Sequence, residues 1–317
     1  MGVGSLAFGV AVDLGSNRPL PPQLRAAEDL LSHAEAVGVE SVWLGESYHS
    51  SPQSFHLPSP LITLSHLAAR TPLRLGTGVL LARAYDPARL AYEAALVDQI
   101  SAGRLTLGLG LGAPGLRGTL GGPDRPGGAM IDRLLIELRE AWSASTTGPA
   151  VPGPYRPGGP ELLVGGQGEA AARRAARTAD GYYAATNYSD RLLSEQCARY
   201  LAYLPEGRSS TIAVNRLCLV AEDPATALDQ AERAFGRVRD YYHSRGLWNI
   251  GADAGDPSPW LVGTPETVAG RLERYRNWGV THVQLRLLPD GTPPDTAGNT
   301  LDLMAAHRLL PGPPQVS

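Results

Sequence analysis

Lysine is absent from this chain, and all 28 basic residues are arginine. Without lysine, the chain has no phosphate-binding loop of the GK[ST] type, no Schiff base with a carbonyl substrate and no anchor for pyridoxal phosphate. The absence of this one residue type therefore excludes several large classes of enzyme.

Cysteine is scarce, with only Cys197 and Cys218, and the two are not in a CxxC spacing. Buried free thiols are the favoured interpretation, ahead of a disulfide or a metal site. The chain contains no HExxH motif, and the spacing of His49 and His56 is not that of metal ligands. We therefore expect no bound metal.

Long apolar runs and a strong net charge are also missing. No run reaches the length of a membrane span, and the apolar segment Leu6–Val12 ends at Asp13 without a basic flank before it. A formal charge of −3 and a pI near 6.2 argue against a nucleic acid or an anionic membrane as partner. We expect a cytoplasmic protein with a small-molecule substrate, and leave a homodimer open.

Apolar segments that read as strands alternate with amphipathic helices. The predicted strands are Ala7–Val12, Ser41–Leu44, Arg74–Leu80, Arg104–Leu109, Leu162–Gly165, Gly181–Ala184, Thr211–Val220 and His282–Leu287. Eight such units predict an α/β fold, a closed (β/α)8 barrel of the TIM type with its active site at the carboxyl ends of the strands. No linker divides the chain, so residues 1–317 are expected to form one domain.

Three segments rich in glycine or proline are predicted to be insertions at the carboxyl-terminal face of the barrel. They are Ala113–Gly128, Ser143–Pro160 and Ser244–Val262. The first directly follows a strand that ends in glycines. We expect this segment to act as a lid that is poorly ordered without substrate.

Glycines follow two of the predicted strands. Gly110 and Gly112 leave the backbone bare where a flat cofactor can approach. The segment Gly165, Gly166, Gln167 and Gly168 closes a strand and opens a helix, where N–H groups and the helix dipole favour a phosphate. A tight strand-to-helix turn is the alternative. The letters of GxGxxG from Gly110 are not followed by a helix, so a nicotinamide dehydrogenase is disfavoured.

Three motifs together resemble the bacterial luciferase-like superfamily of flavin-dependent and coenzyme F420-dependent oxidoreductases, over nearly the whole chain. They are Val97–Gly112, Leu163–Tyr182 and the helix start Gly263-Thr264-Pro265-Glu266. The resemblance implies a TIM-type barrel that binds a flavin or deazaflavin. It also implies that the turn after Leu162–Gly165 binds the cofactor phosphate. A cis peptide bond not involving proline is expected against the middle ring, and we place it at Gly78–Val79.

The chain departs from that superfamily at the end of the second strand. Many relatives carry a histidine directly after the acidic residue, whereas here Glu46 is followed by Ser47. We expect His49, in the following loop, to transfer the proton and Glu46 to orient a backbone or cofactor group. A solvated His49 without a catalytic role is the alternative.

The choice of cofactor rests on the fourth strand. Flavin-dependent relatives often place an arginine there to hold the phosphate, but this chain has Gly110, Leu111 and Gly112. Together with the glycine-rich turn after Leu162–Gly165, this favours coenzyme F420, held largely by backbone, in an oxidoreductase that transfers a hydride to or from a small organic substrate. An FMN-dependent monooxygenase is the alternative, and a non-catalytic barrel that binds the cofactor is a second.

Aromatic residues near the late strands leave the substrate pocket open to two interpretations. These side chains either line a substrate pocket or belong to the hydrophobic core. The residues are Tyr182, Tyr183, Tyr188, Tyr241, Tyr242, Trp248 and Trp260. Arg286, near the end of the last strand, is interpreted either as a contact for an anionic group or as part of a surface ion pair.

Overall fold

Parallel strands and helices alternate along the chain in the computed structural model, which describes residues 5–15, 19–48, 56–57, 59–112, 127–144, 153–244, 246, 248, 259–289 and 292–312. The strands are β1 (Ala7–Val12), β2 (Ser41–Leu44), β3 (Ser47–Tyr48), β4 (His56–Leu57), β5 (Arg74–Leu81), β6 (Leu105–Gly110), β7 (Glu161–Gly165), β8 (Gly181–Ala184), β9 (Ile212–Val220), β10 (Leu261–Gly263) and β11 (His282–Leu288). Most of the predicted lid, Ala113–Gly128, lies outside the described residues.

Helices cover the outside of the sheet. In the described part of the chain they are α1 (Leu20–Ala36), α2 (Pro60–Ala68), α3 (Pro87–Ile100), α4 (Gly127–Ala144), α5 (Gly168–Thr178), α6 (Asp190–Tyr203), α7 (Pro224–His243), α8 (Pro265–Asn277) and α9 (Pro294–Ala306). Among these, no helix combines the length and the apolar character needed to cross a bilayer.

Eight of the strands close into a barrel in the order β1-β2-β5-β6-β7-β8-β9-β11, with β11 returning to β1 and every neighbouring pair parallel. This confirms the predicted TIM-type α/β fold. Each predicted strand is present, with its ends displaced by at most one residue. Apolar runs such as that of β9 were the clearest indication of a strand in the sequence. β9 is buried along its whole length because both of its faces are covered.

Three short strands were not predicted. β3 and β4 form an antiparallel hairpin beyond the end of β2, in a segment interpreted as a loop. β10 pairs with the last residues of β9, at the end of the predicted insertion Ser244–Val262. Each is two or three residues long, which is too short for an alternating pattern to show in the sequence.

Trp43 packs inside the barrel, near the carboxyl ends of the strands. Its indole N–H donates to Ser41 Oγ at 2.9 Å, and its ring lies against the backbone of two neighbouring strands. A Cβ built on Gly9 would lie 2.8 Å from the ring, and one built on Gly76 would overlap it. The narrow barrel interior has room for the Trp43 indole because the two residues beside it, Gly9 and Gly76, have no side chains.

We predict that Gly76→Ala lowers the free energy of unfolding by about 1–3 kcal/mol, because the added methyl group overpacks against the Trp43 ring. The matched control is Gly270→Ala in α8, where a built Cβ meets no atom within 4 Å. That change should raise stability by about 0.5–1 kcal/mol through helix propensity. Urea unfolding of both variants tests the pair, and equal effects would contradict the packing argument.

Candidate functional site

A cavity of about 780 Å³ opens at the carboxyl ends of the barrel strands. It brings together nine of the eleven residues predicted for the site: Glu46, Ser47, Gly78, Val79, Gly110, Gly112, Gly165, Gly166 and Gln167. Gly168 begins α5 just behind this wall. His49 lies outside the described residues, and its predicted role stays a prediction.

One wall of the cavity is a bulge in β5. Its register with β6 shifts between Thr77 and Leu80, and the Gly78–Val79 peptide bond is cis, as predicted. Glycine is needed on both sides of this feature. A Cβ on Gly78 would overlap the Tyr183 hydroxyl, and a Cβ on Gly110 would lie 2.6 Å from Val79 Cγ2. The wall is therefore backbone and one valine, a surface on which a flat ring can rest.

Glu46 is buried beside this bulge and receives three hydrogen bonds. Its carboxylate accepts from the Leu81 N–H, from the Tyr48 hydroxyl at 2.8 Å and from the Tyr85 hydroxyl at 2.7 Å. Burial raises the pKa of Glu46 to about 7, although these three donors act in the opposite direction. Glu46 is thus an acid that changes protonation near neutral pH at the edge of the cavity.

A buried polar cluster lies on the other side of the bulge. The Tyr183 hydroxyl donates to Gln284 Oε1 at 2.6 Å, and Asn215 Nδ2 lies 3.5 Å from the same hydroxyl. Three buried oxygens in the cavity wall have no hydrogen-bond partner among the described residues: Ser47 Oγ, Thr186 Oγ1 and Asn215 Oδ1. Buried polar atoms are rarely left unpaired. A ligand with donors and acceptors on its ring would satisfy them, so the cavity fits a flavin or deazaflavin.

The turn from β7 into α5 forms the far end of the cavity. Gly166 has φ +145° and Gly168 has φ +82°, and Tyr182 donates to the Gly166 carbonyl at 2.7 Å. Gln167 is the N-cap residue of α5 but makes no capping hydrogen bond. When the side-chain amide of Gln196 is oriented so that both its oxygen and its nitrogen have partners, the oxygen accepts from the Gly168 N–H at 3.0 Å.

Arg174 is a cavity residue that sequence reasoning missed. It lies on the same face of α5 as Gln167, and its guanidinium pairs with both carboxylate oxygens of Asp132 on α4, at 2.5 and 3.1 Å. The motif around Arg174 was recognised for its glycines. The helical spacing of Gln167 and Arg174, two turns apart, is the signal that would have identified it.

Arg286 forms a buried ion pair rather than a surface one. Its guanidinium donates to Asp13 Oδ2 at 2.9 and 2.5 Å, and both residues line the cavity. Burial disfavours the charge, but the Asp13 carboxylate and Tyr242 outweigh it and raise the pKa of Arg286. The pair presents a fixed, nearly neutral polar group to the cavity.

The aromatic residues divide between the two interpretations. Four tyrosines line the cavity: Tyr183, Tyr188, Tyr241 and Tyr242. Trp248 and Trp260 lie outside the cavity wall, in a second apolar cluster around α7 that also includes Tyr241 and Tyr242, and their ring centroids are 6.0 Å apart. Tyr182 belongs to the main core.

Comparison with known proteins agrees with this geometry. A family model described as luciferase-like monooxygenase matches residues 2–282. The oxygenase component of a flavin-dependent trigonelline monooxygenase from Acinetobacter baylyi is 38% identical over 86 residues, which are 27% of this chain and 23% of that relative. The match therefore spans under a quarter of that relative's length.

Solved structures resemble the chain over nearly its whole length. The monooxygenase RslO1 from Streptomyces bottropensis has a TM-score of 0.77 and 22% identity, and covers 96% of this chain and 99% of its own. The oxygenating constituent of 3,6-diketocamphane monooxygenase from Pseudomonas putida, in complex with FMN, has a TM-score of 0.73 and 19% identity over 98% and 100% of the two chains. An F420-dependent secondary alcohol dehydrogenase, with an F420-acetone adduct, has a TM-score of 0.73 and 17% identity over 96% and 98%.

At these identities the structural likeness shows a shared fold, and the neighbours include both an FMN and an F420 protein. The family model covers most of the chain. Two of the three expected motifs, Val97–Gly112 and Leu163–Tyr182, contribute residues to the cavity wall, and the third opens α8 outside that wall. The chain belongs to the luciferase-like monooxygenase family, a family of oxidoreductases.

Proposed function

We propose that the protein is an FMN-dependent monooxygenase that acts on a small organic substrate. The observation that carries the proposal is the cavity wall itself. A glycine-lined bulge, unpaired buried oxygens and the amino-terminal end of α5 meet around one space of about 780 Å³. These parts match a flat ring with polar edges joined to a phosphate.

The preference for FMN over F420 reverses the expectation drawn from the sequence alone. That expectation relied on the lack of an arginine beside β6. Arg174 supplies a cation to the same cavity from α5, so the argument against FMN loses its basis. The relative from Acinetobacter baylyi described above is the oxygenase component of a flavin-dependent monooxygenase. F420 remains the second candidate, supported by the backbone character of the wall and by the dehydrogenase of the same fold.

Each part of the chain then has a role. A bound flavin supplies two-electron redox chemistry, and the protein supplies orientation, shielding and a route for protons. The Gly78–Val79 bulge and Gly110 support the ring, and the first turn of α5 binds the phosphate. The tyrosines of the cavity and the Asp13–Arg286 pair line the remaining space, which suits a substrate that is mostly apolar with a polar group.

Titration of the protein with FMN, F420 and NADH, followed by tryptophan fluorescence, tests the proposal directly because Trp43 lines the cavity. We expect FMN to bind in the micromolar range and NADH not to bind. Binding of F420 alone would support the second candidate. Binding of neither flavin nor deazaflavin would overturn both.

Glu46 is the acid that we assign to proton transfer among the described residues of the cavity. It stands at the position before the missing histidine, and its pKa of about 7 suits exchange of a proton near neutral pH. Tyr48 and Tyr85 hold its carboxyl group in place. His49 stays a second candidate for this role.

This assignment predicts a pH-dependent stability. Because the pKa of Glu46 rises from 4.5 to about 7 on folding, the folded state binds the extra proton. The resulting stabilisation is fully present below pH 4.5 and is lost as the pH rises through 7, by an amount on the order of 3 kcal/mol. Glu46→Gln should flatten this part of the pH profile in urea unfolding experiments.

Tyr85→Phe is the matched control for that experiment. It keeps the acid but removes a donor that lowers the pKa of Glu46, so the midpoint of the pH profile should move upwards. If Glu46→Gln leaves the profile unchanged, another group titrates and the assignment is wrong.

The phosphate site predicts an effect of charge at position 167. We expect Gln167→Glu to weaken FMN binding about tenfold or more at low salt, because the new carboxylate repels the phosphate. An acid at a helix N-terminus is itself stabilising, so loss of folding is not the cause. Gln167→Ala serves as the neutral control, and equal dissociation constants for the two variants would contradict a phosphate at this turn.

A further inference from the structure

Arg174 occupies an electrostatically unusual place. Arg174 lines the cavity, and its guanidinium lies beside the first turn of α4: a Cβ built on Gly128, the second residue of α4, would lie 3.0 Å from Arg174 Nη2. Helix N-termini carry partial positive charge and favour anions. Arg174 adds its positive charge beside the start of α4, in a cavity that the first turn of α5 also lines.

Among the described residues, little negative charge faces this corner of the cavity. Asp132 pairs with Arg174, but its side chain is 48% exposed, against 16% for Arg174. Solvent screens a pair of this kind, so its carboxylate offsets the local field only in part. Glu169, in the first turn of α5, is exposed and accepts a hydrogen bond from the Tyr203 hydroxyl instead of facing the cavity. The described residues thus leave an excess of positive charge at this corner of the cavity.

We propose that Arg174 is a binding residue for the cofactor phosphate and that Asp132 holds its guanidinium in position. This inference rests on the proposed function and names the part of the site that recognises the terminal anion. The phosphate would lie between the first turn of α5 and the Arg174 fork, which presents two parallel N–H donors to an anion. Asp132 engages the Nε hydrogen and one Nη2 hydrogen, which leaves three of the five guanidinium hydrogens for a ligand in the cavity that Arg174 lines.

Comparison of FMN with riboflavin, which has the same ring and no phosphate, tests the proposal by equilibrium binding. We expect Arg174→Gln to weaken FMN binding about tenfold to a hundredfold and to leave riboflavin binding within about twofold. The matched control is Arg173→Gln, which removes the same charge from the neighbouring, exposed position of α5. It should leave both dissociation constants close to those of the unaltered protein.

Asp132→Asn separates recognition of charge from simple packing. If Arg174 contacts the phosphate and Asp132 only positions it, Asp132→Asn weakens FMN binding less than Arg174→Gln does and leaves riboflavin binding unchanged. If Arg174 only braces α4 against α5, Asp132→Asn and Arg174→Gln should weaken both ligands alike, and the proposal is overturned. Arg174→Lys keeps the charge and should retain most of the preference for FMN over riboflavin, which provides a test should Arg174→Gln fold poorly.

The outcomes also distinguish this inference from the proposed function. If Arg174→Gln, and not Arg173→Gln, removes the preference for FMN over riboflavin, the result supports both the role of Arg174 and the proposed function. If FMN binds and Arg174→Gln changes its dissociation constant no more than Arg173→Gln does, the role of Arg174 is overturned but the proposed function stands. No binding of FMN or riboflavin by the unaltered protein overturns the proposed function, and the role of Arg174 in FMN recognition with it.

Discussion

Closure of the parallel sheet is the constraint on which every other feature depends. The pairing of β1 with β11 joins the first and last strands of the barrel, which lie about 275 residues apart in sequence, and the closed parallel sheet directs all eight carboxyl ends to one face. Glu46 after β2, the bulge of β5 and the turn after β7 face one another only because of this closure. Without closure of the sheet, these three segments would lie apart and would not form one cavity.

Hydrogen bonds then link neighbouring strands at that face. Glu46 follows β2 yet accepts from Leu81 at the end of β5, and Tyr183 of β8 reaches across the barrel to Gln284 of β11. The bulge therefore lies between two buried polar clusters. Both clusters tie the cavity wall to the barrel, so the wall is formed before any ligand binds.

The fold was predictable because its signals are local. Apolar runs marked the eight barrel strands, and glycines marked the ends where backbone meets the cavity, including Gly78 and Gly110. The contacts of the site were not local. The pairing of Arg174 with Asp132 joins residues 42 positions apart, and that of Glu46 with Tyr85 joins residues 39 apart. Neither spacing has a periodicity, and only the packing of one element against another creates these contacts.

Trp43 gives the barrel a property that concerns its evolution. The same indole fills the interior, contacts Gly9 and Gly76, and forms part of the cavity wall. A larger residue at either glycine requires a smaller one at position 43, which would deepen the cavity. The sizes of the side chains at positions 9, 43 and 76 therefore determine both how the core is filled and how much room the cavity leaves for a substrate. In homologues, these positions should vary together, and a change in the size of the substrate should accompany them.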